Sequence, residues 1–143
     1  MRIALLTYVV VAALRVAAIG EETPGVVPDG IDRLLDAIAK VESRHNPSAI
    51  GDGGRAAGAY QIHRAYWADG TKFLGVNWDY ELAADPERAR EVVRTYLLHY
   101  GRGRSLLEMA RIHNGGPNGH RKQSTLVYAR RIARLLDDAD PAE

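Results

Sequence analysis

Hydrophobic residues recur at helical spacing in four stretches of this chain, and this pattern predicts a mainly α-helical fold. In the first stretch, about residues 30–44, the apolar side chains fall on one stripe of a helical wheel. The stripe consists of Ile31, Leu34, Leu35, Ile38 and Val41. Asp29 precedes it at the N-cap position, and Asn46-Pro47 follows it. The proline ends the helix, because the residue before a proline disfavours helical geometry.

Three further helices are predicted in the second half of the chain. Asp85-Pro86-Glu87 marks the start of one, since it combines a cap, a first-turn proline and an acid near the positive end of the helix dipole. Ser105 and Glu108 have the spacing of a capping box, which marks the start of the next. The predicted ranges are about 86–99, 106–113 and 124–137.

The segment between the first two helices lacks a helical pattern. Residues 48–59 are small and flexible, and the three residues Tyr60-Gln61-Ile62 then alternate like a short strand or the wall of a cleft. For residues 63–84 we predict a less regular loop that packs over the core, with Trp78 as a core-filling side chain.

Composition indicates an ordinary globular domain without crosslinks. The chain has 143 residues, of which 46% are hydrophobic and 26% charged, enough for one domain with its own core. It contains no cysteine, which excludes disulfides, thiolate nucleophiles and cysteine metal sites. The histidines at positions 45, 63, 99, 113 and 120 show no metal-ligand spacing such as HExxH. We therefore predict neither a metal nor a cofactor.

The first twenty residues have the pattern of a secretory signal peptide. Arg2 gives a basic start, an apolar run follows, and small residues at Ala18 and Gly20 suggest cleavage near Gly20. An uncleaved membrane anchor and an N-terminal helix packed on the domain are the alternatives. The expected organisation is a signal peptide over 1–20, a linker over 21–29, a catalytic domain over 30–137 and a tail over 138–143. The protein is then expected to be secreted or periplasmic.

Charge argues against a nucleic-acid partner. Removing residues 1–20 takes away Arg2 and Arg15 and leaves 17 basic and 18 acidic residues, so bulk charge attracts no polyanion. Contact with a membrane is expected only through the N-terminal segment, if it is retained. Between Glu108 and Asp137, however, every charged residue is basic. This predicts a local basic surface, which is either a solvated face or suited to an anionic wall polymer.

Two acids at the end of the first helix are the strongest candidates for chemistry. Glu42 projects roughly 20° from Ile31 on the helical wheel and so lies inside the apolar stripe. Apolar surroundings disfavour the charged form of a carboxyl group, which makes Glu42 a candidate general acid. Asp52 lies among Gly51, Gly53 and Gly54, where a wetter side chain is expected to stay ionised. A glycosidase needs such a pair, one carboxyl to protonate the leaving oxygen and one to meet or attack the sugar cation.

Structural explanations exist for both acids. A single Glu at a helix end is usually solvated or a capping residue, and an Asp in a glycine-rich turn usually stabilises the turn.

A later segment adds to the functional interpretation. His113-Asn114-Gly115-Gly116-Pro117-Asn118-Gly119 ends the third predicted helix in a tight turn whose bare backbone allows a ligand to approach closely.

Taken together, these segments resemble the invertebrate-type (destabilase-type) lysozymes. The matching pieces are Glu42-Ser43, Asp52, Gly58-Ala59-Tyr60-Gln61-Ile62, Tyr66-Trp67, the stretch from Tyr96 to Gly101, and Ala110-Arg111-Ile112-His113-Asn114-Gly115-Gly116-Pro117-Asn118-Gly119. They occur in the family's order over most of residues 38–130, and the last piece is the most specific. One departure is clear. The family is rich in disulfides, and the positions of its cysteines are occupied here by His45, Ala57, Gly70 and His120.

The resemblance implies a lysozyme-like fold, mainly α with a small β region beside a cleft. It implies hydrolysis of the β-1,4 bond between N-acetylmuramic acid and N-acetylglucosamine, with glycan strands of peptidoglycan as the partner. By the same resemblance, Glu42 is the general acid and Asp52 the second carboxylate. The residues implied to line the sugar cleft are Tyr60, Gln61, His113, Asn114 and Gly115.

A second family matches some of the same residues. Glu42-Ser43, Asn46-Pro47-Ser48-Ala49-Ile50-Gly51 and Gly58-Ala59-Tyr60-Gln61-Ile62 also resemble the soluble lytic transglycosylases. Those enzymes use one Glu to cut the same bond and leave a 1,6-anhydromuramic end. A cell-wall-binding module that keeps the cleft without turnover is a third alternative. A destabilase-like isopeptidase would need a paired Ser and His, and the sequence establishes no such pair.

Overall fold

A computed structural model describes residues 26–139 of the protein. The predicted signal peptide, the linker up to residue 25 and the last four residues lie outside this part of the chain. Within these residues there are five helices: α1 Ile31–Ser43, α2 Arg64–Leu74, α3 Pro86–Tyr100, α4 Leu106–Gly115 and α5 Leu126–Asp138. Short 3₁₀ turns occupy Asp52–Gly54, Tyr80–Ala84, Gly119–Arg121 and Gln123–Thr125. None of the described helices is long and apolar enough to cross a bilayer.

Three two-residue strands form a small antiparallel sheet between α1 and α2. They are β1 Ile50–Gly51, β2 Ala56–Ala57 and β3 Ile62–His63, in the spatial order β1-β2-β3. Ala57 is the register partner of Ile50 on one side and of Ile62 on the other. The prediction of a mainly α fold with a small β region is therefore confirmed.

Helix α1 carries the centre of the hydrophobic core. Its predicted stripe is buried from Ile31 to Ile38 and partly buried at Val41, and Leu34, Leu35 and Ile38 have no measurable exposure. Helices α3, α4 and α5 cover this stripe with buried residues of their own. The largest of these that are fully buried are Val92, Val93, Leu97, Met109, Ile112 and Ile132. The core thus fixes the C-terminal end of α1, where Glu42 lies, against the rest of the domain.

The predicted starts of α3 and α4 are formed as expected, whereas the N-cap predicted at Asp29 was wrong, because the N-cap residue of α1 is Gly30 and no side chain caps it. The Asp85 carboxylate accepts a hydrogen bond from the backbone N–H of Arg88. Ser105 and Glu108 make the capping box in both directions, the Ser105 hydroxyl accepting from the Glu108 N–H and the Glu108 carboxylate accepting from the Ser105 N–H. Caps of this kind satisfy N–H groups that have no partner inside the helix. The four predicted helices are confirmed, with ends that differ by one or two residues.

The prediction of an irregular loop over residues 63–84 was wrong. Helix α2 runs from Arg64 to Leu74, and its buried face consists of Trp67, Gly70 and Thr71. Helices α2 and α3 approach each other closely at Gly70, where a Cβ would lie 2.6 Å from a methyl carbon of Val92 on α3. Because two of the three buried positions of α2 hold Gly70 and Thr71, the hydrophobic pattern of this helix is weak, although Tyr66 and Phe73 also stack on residues of α3. Trp78 does pack against the core, as predicted.

Candidate active site

A cavity of about 530 Å³ opens where the end of α1, the sheet, α2 and the end of α4 meet. This volume lies within the range of small-ligand sites. Five of the predicted site residues line the cavity: Glu42, Asp52, Gln61, His113 and Asn114. Residues that are 72 positions apart in the chain therefore face one space. The two acids approach it from the last turn of α1 and from the 3₁₀ turn that follows β1.

Glu42 is the more enclosed of the two acids. Its side chain is 20% exposed, and its Oε1 lies 3.6 Å from Nε2 of His113. This distance is too long for a hydrogen bond, so the carboxyl faces a polar ring without being tied to it. The side chain of Tyr128 lies close to the Glu42 carboxyl as well. Burial, together with the nearby Glu42 carboxylate, raises the pKa of Tyr128 and keeps its hydroxyl protonated.

The side chain of Asp52 is more exposed to solvent than that of Glu42 and has closer polar partners. Its side chain is 43% exposed, and its carboxylate contacts Nη2 of Arg55 at 2.7 Å and Nε2 of His63 at 3.1 Å. The backbone of Asp52 is left-handed, with φ 49°, a conformation that is uncommon outside glycine. Strained residues of this kind often occur at functional sites. The predicted difference in solvation between a drier Glu42 and a wetter Asp52 is confirmed.

Two side chains fix the loops that carry the acids. The Ser43 hydroxyl donates to the Ala59 carbonyl at 2.8 Å and accepts from the Asn46 N–H at 2.9 Å, which ties the end of α1 to the sheet region. The Gln61 amide donates to the carbonyl groups of Ala49 and Gly58 at 3.2 and 2.9 Å. Gln61 therefore lines the cavity and also connects the chain segments at Ala49 and Gly58.

His113 connects α4 to the loop before β3. Its Nε2 lies 3.2 Å from the Tyr60 carbonyl oxygen, and its Nδ1 lies 3.1 Å from the Tyr66 hydroxyl. A carbonyl only accepts, so the neutral ring that fits both contacts carries its proton on Nε2 and accepts from Tyr66 at Nδ1. The side chain is 4% exposed. Nε2 of His113 therefore donates to the Tyr60 carbonyl and also lies near the Glu42 carboxylate.

Two predicted site residues do not line the cavity. Tyr60 is buried, and its hydroxyl accepts a hydrogen bond from Nη1 of Arg90 at 3.2 Å, so only its carbonyl serves the site, through His113. Gly115 lies just behind the lining residues Gly116 and Pro117, and its carbonyl accepts from Nζ of Lys122 at 2.6 Å. Both residues hold the walls in place from outside the cavity.

Four polar or aromatic lining residues were not predicted from the sequence: His63, Tyr66, Asp69 and Tyr96. Tyr66 stacks on Tyr96 with ring centroids 3.5 Å apart, and together they form an aromatic wall. The Asp69 carboxylate accepts from the Tyr100 hydroxyl at 2.9 Å. A helical assignment of residues 64–74 would have placed Tyr66 and Asp69 three residues apart on one face. Within residues 26–139, no group of His, Asp and Glu is arranged to hold a metal ion.

Comparisons with known proteins show which family and relatives the chain resembles. A family model described as Destabilase matches residues 32–134. The chain is 39% identical over 111 residues to a lysozyme of Ostrea edulis, covering 71% of this chain and 79% of that protein. It is 35% identical over 109 residues to a lysozyme of Meretrix lusoria, covering 72% of this chain and 88% of that protein.

A solved structure has a similar fold. One chain of the crystal structure of Aeromonas hydrophila PliI in complex with Meretrix lusoria lysozyme superposes with a TM-score of 0.63 and 33% sequence identity. The similarity covers 78% of this chain and 93% of that chain. The sequence and structure comparisons thus extend over most of the described residues.

Proposed function

This chain belongs to the destabilase family of lysozyme-type glycoside hydrolases, and from this premise we propose that Glu42 and Asp52 carry out its chemistry. The substrate is the β-1,4 bond between N-acetylmuramic acid and N-acetylglucosamine in peptidoglycan. The observation that carries the proposal is the pair of unequal carboxyl groups on one cavity, Glu42 at 20% and Asp52 at 43% side-chain exposure. Unequal environments separate the roles of two acids.

In the first step, Glu42 in its acid form gives its proton to the glycosidic oxygen while the bond from that oxygen to the anomeric carbon breaks. Asp52, whose carboxylate contacts Arg55 and His63, stabilises the sugar cation or bonds to its anomeric carbon. In the second step, the Glu42 carboxylate takes a proton from a water whose oxygen bonds to that carbon, and where Asp52 had bonded to the carbon, that bond breaks and releases the Asp52 carboxylate. Both acids then return to their starting states.

The walls of the cavity support a sugar substrate. The aromatic wall of Tyr66 and Tyr96 offers an apolar face, and Gln61, Asn114 and Asp69 offer polar atoms around it. Sugar rings present both apolar faces and hydroxyl groups, so such a mixed lining suits them. We also propose that the protein is exported and lyses bacterial walls, on the basis of the signal-like pattern in residues 1–20.

The test is a Glu42→Gln variant assayed on purified peptidoglycan by release of reducing ends. Loss of the proton donor should slow turnover by about 10²–10⁴-fold. Glu91→Gln is the matched control, since Glu91 is exposed on α3 and the substitution removes the same charge. A Glu42→Gln protein with the control's rate would refute the proposal. Saturable glycan binding without new reducing ends in the parent protein would favour the wall-binding module.

Asp52→Asn separates hydrolysis from transglycosylation. A large loss of activity supports the two-carboxylate hydrolase, because the sugar cation then lacks its counter-charge. Mass spectrometry of the released muropeptides gives the second readout. Near-full activity with 1,6-anhydromuramic ends would show that one Glu suffices and that the chain is a lytic transglycosylase.

A further inference from the structure

A second concave surface lies between the C-terminal halves of α1 and α5, outside the cavity beside Glu42. We call it the α1–α5 groove. Lys40 and Arg44 form one wall, Arg131 and Arg134 the other, and Val41 and Leu135 the floor between them. Its volume is about 650 Å³, larger than that of the candidate active site. None of these residues lines the cavity that contains Glu42.

The groove concentrates positive charge that the fold does not neutralise. Four cationic side chains line it, and Asp138 is the one acid among the lining residues. Within residues 26–139, no ion pair or side-chain hydrogen bond is found for these four cations. Lys40 lies in the last turn of α1 and Arg44 is the C-cap residue that follows it, while Arg131 and Arg134 are three residues apart on α5. Like charges at the spacing of Arg131 and Arg134 repel each other on a helix, and a bound anion would relieve this repulsion.

The backbone at the groove's rim adds a second observation. Arg44 and His45 are both left-handed, with φ 55° and 63°. This conformation favours glycine and costs other residues about 1–2 kcal/mol each. Here the backbone N–H groups of Arg44 and His45 donate to the carbonyls of Lys40 and Ala39, which is a common left-handed ending of a helix. The ending of α1 thus places an exposed guanidinium group and an exposed imidazole at the rim of the groove.

The lining chemistry selects the kind of anion. Guanidinium groups match the geometry of phosphate oxygens, and the apolar floor of Val41 and Leu135 suits a carbon backbone between phosphates. Apart from the imidazole of His45, the lining offers no aromatic ring, so bases of a nucleic acid would find no stacking surface. Within the described chain, the exposed large hydrophobic residues lie elsewhere, at Val26, Val27, Ile50, Leu107 and Val127. The groove therefore has no apolar rim that could enter a bilayer.

We propose that the α1–α5 groove binds a linear phosphodiester polymer of a polyol, the class of anionic polymer found alongside glycan strands in cell walls. Successive phosphates contact the two basic walls, and the polyol carbons lie on the apolar floor. Binding here leaves the cavity open, so the protein can hold the polymer and a glycan strand together. The proposal goes beyond the glycosidase activity, and its test requires no turnover.

The experiment measures binding of the full chain to lipid-free poly(glycerol phosphate) by titration calorimetry. The variant Arg131→Gln/Arg134→Gln removes one wall. Its matched control, Arg121→Gln/Arg130→Gln, removes two exposed arginines outside the groove and changes the net charge equally. We expect the groove variant to raise Kd by about tenfold or more and to reduce the slope of log K against log salt by about one to two. The control should bind like the parent.

Circular dichroism and thermal unfolding verify that each variant is folded. If the first groove variant does not fold, Lys40→Gln/Arg44→Gln tests the other wall with the same expected loss. Equal weakening by groove and control variants would overturn the proposal, because binding would then depend on charge alone. Two other results would also overturn it. In the first, the protein binds phosphatidylglycerol–phosphatidylcholine vesicles more tightly than the polymer, and the groove variant weakens that binding. In the second, the same is found for single-stranded DNA with an equal number of phosphates.

Discussion

Nε2 of His113 lies 3.6 Å from Oε1 of Glu42, and the ring is fixed there by two other contacts. The Tyr60 carbonyl and the Tyr66 hydroxyl hold its two nitrogens in one tautomer. The ring thus lies beside the carboxyl of Glu42 without a hydrogen bond to it. We interpret His113 as a positioning residue that keeps the proposed proton donor aimed at the cavity.

We predict that His113→Gln reduces kcat more than it changes KM. The carboxyl of Glu42 loses a fixed neighbour, and small displacements of a reacting group can cost up to about 10²-fold in rate. The readout is kcat and KM on soluble glycan strands. Tyr66→Phe should give a smaller loss of the same kind, because it removes only the hydroxyl that sets the tautomer. His99→Gln, at an exposed histidine on α3, is the control. Parent-like kcat in His113→Gln would refute the positioning role.

A second prediction concerns the contact between the Asp52 carboxylate and Nε2 of His63, which are 3.1 Å apart. If His63 acts by holding the Asp52 carboxylate, His63→Gln should lower kcat several-fold, and the loss should disappear when Asp52 is already Asn. A double-mutant cycle of rates measures this coupling. Additive losses in the double variant would mean that His63 acts on the substrate independently of Asp52.

The elements whose hydrophobic residues recur at a regular spacing, or whose ends carry a capping motif, could be predicted from the sequence. The α1 stripe and the capping box at Ser105 were evident from spacing, and so was the position of Glu42 at the end of that stripe, although its carboxyl faces the polar ring of His113. The resemblance to invertebrate-type lysozymes is confirmed by the family match and by the lysozyme relatives. Helix α2 was missed because its contact with α3 depends on Gly70 and Thr71, which carry no hydrophobic signal.

The remaining parts of the site depend on how elements pack together. His63 and Asp69 reach the cavity because β3 and α2 follow each other across a sharp change of direction, which spacing alone does not specify. Tyr60 illustrates the opposite case. The resemblance implied that its side chain lines the cleft, but a hydrogen bond from Arg90 fixes its hydroxyl away from the cavity. The direction of a single side chain in a short loop depends on tertiary partners.

A third prediction compares two glycines whose φ angles are both positive. Gly58 and Gly53 are both left-handed, with φ 79° and 63°. A Cβ on Gly58 would lie 1.9 Å from the Ala83 carbonyl oxygen, whereas one on Gly53 would meet nothing within 4 Å. Gly53→Ala should therefore cost about 1–2 kcal/mol, the penalty of the conformation alone. Gly58→Ala should cost more than about 3 kcal/mol, since backbone must move. Urea unfolding of both variants measures the difference, and equal midpoints would contradict the close contact.

The last prediction concerns His120, which occupies a position where the resemblance places a cysteine. In the described part of the chain, neither ring nitrogen has a hydrogen-bond partner, and both are buried. Desolvation, and next the charge of Arg104, lower the pKa of His120. The unfolded chain therefore takes up a proton near the ordinary value of about 6.5 that the folded chain does not, and stability falls as pH drops through that value.

His120→Leu should consequently raise the melting temperature, because it removes two unsatisfied polar atoms and the proton uptake together. The gain over the parent protein should be larger at about pH 5.5 than at about pH 8, where the unfolded histidine is also neutral. Calorimetric melting of both proteins at the two pH values measures this difference. His120→Gln serves as the control for polarity, since it keeps a polar side chain but cannot titrate. A gain that is the same at both pH values would mean that His120 is protonated equally in the folded and unfolded states.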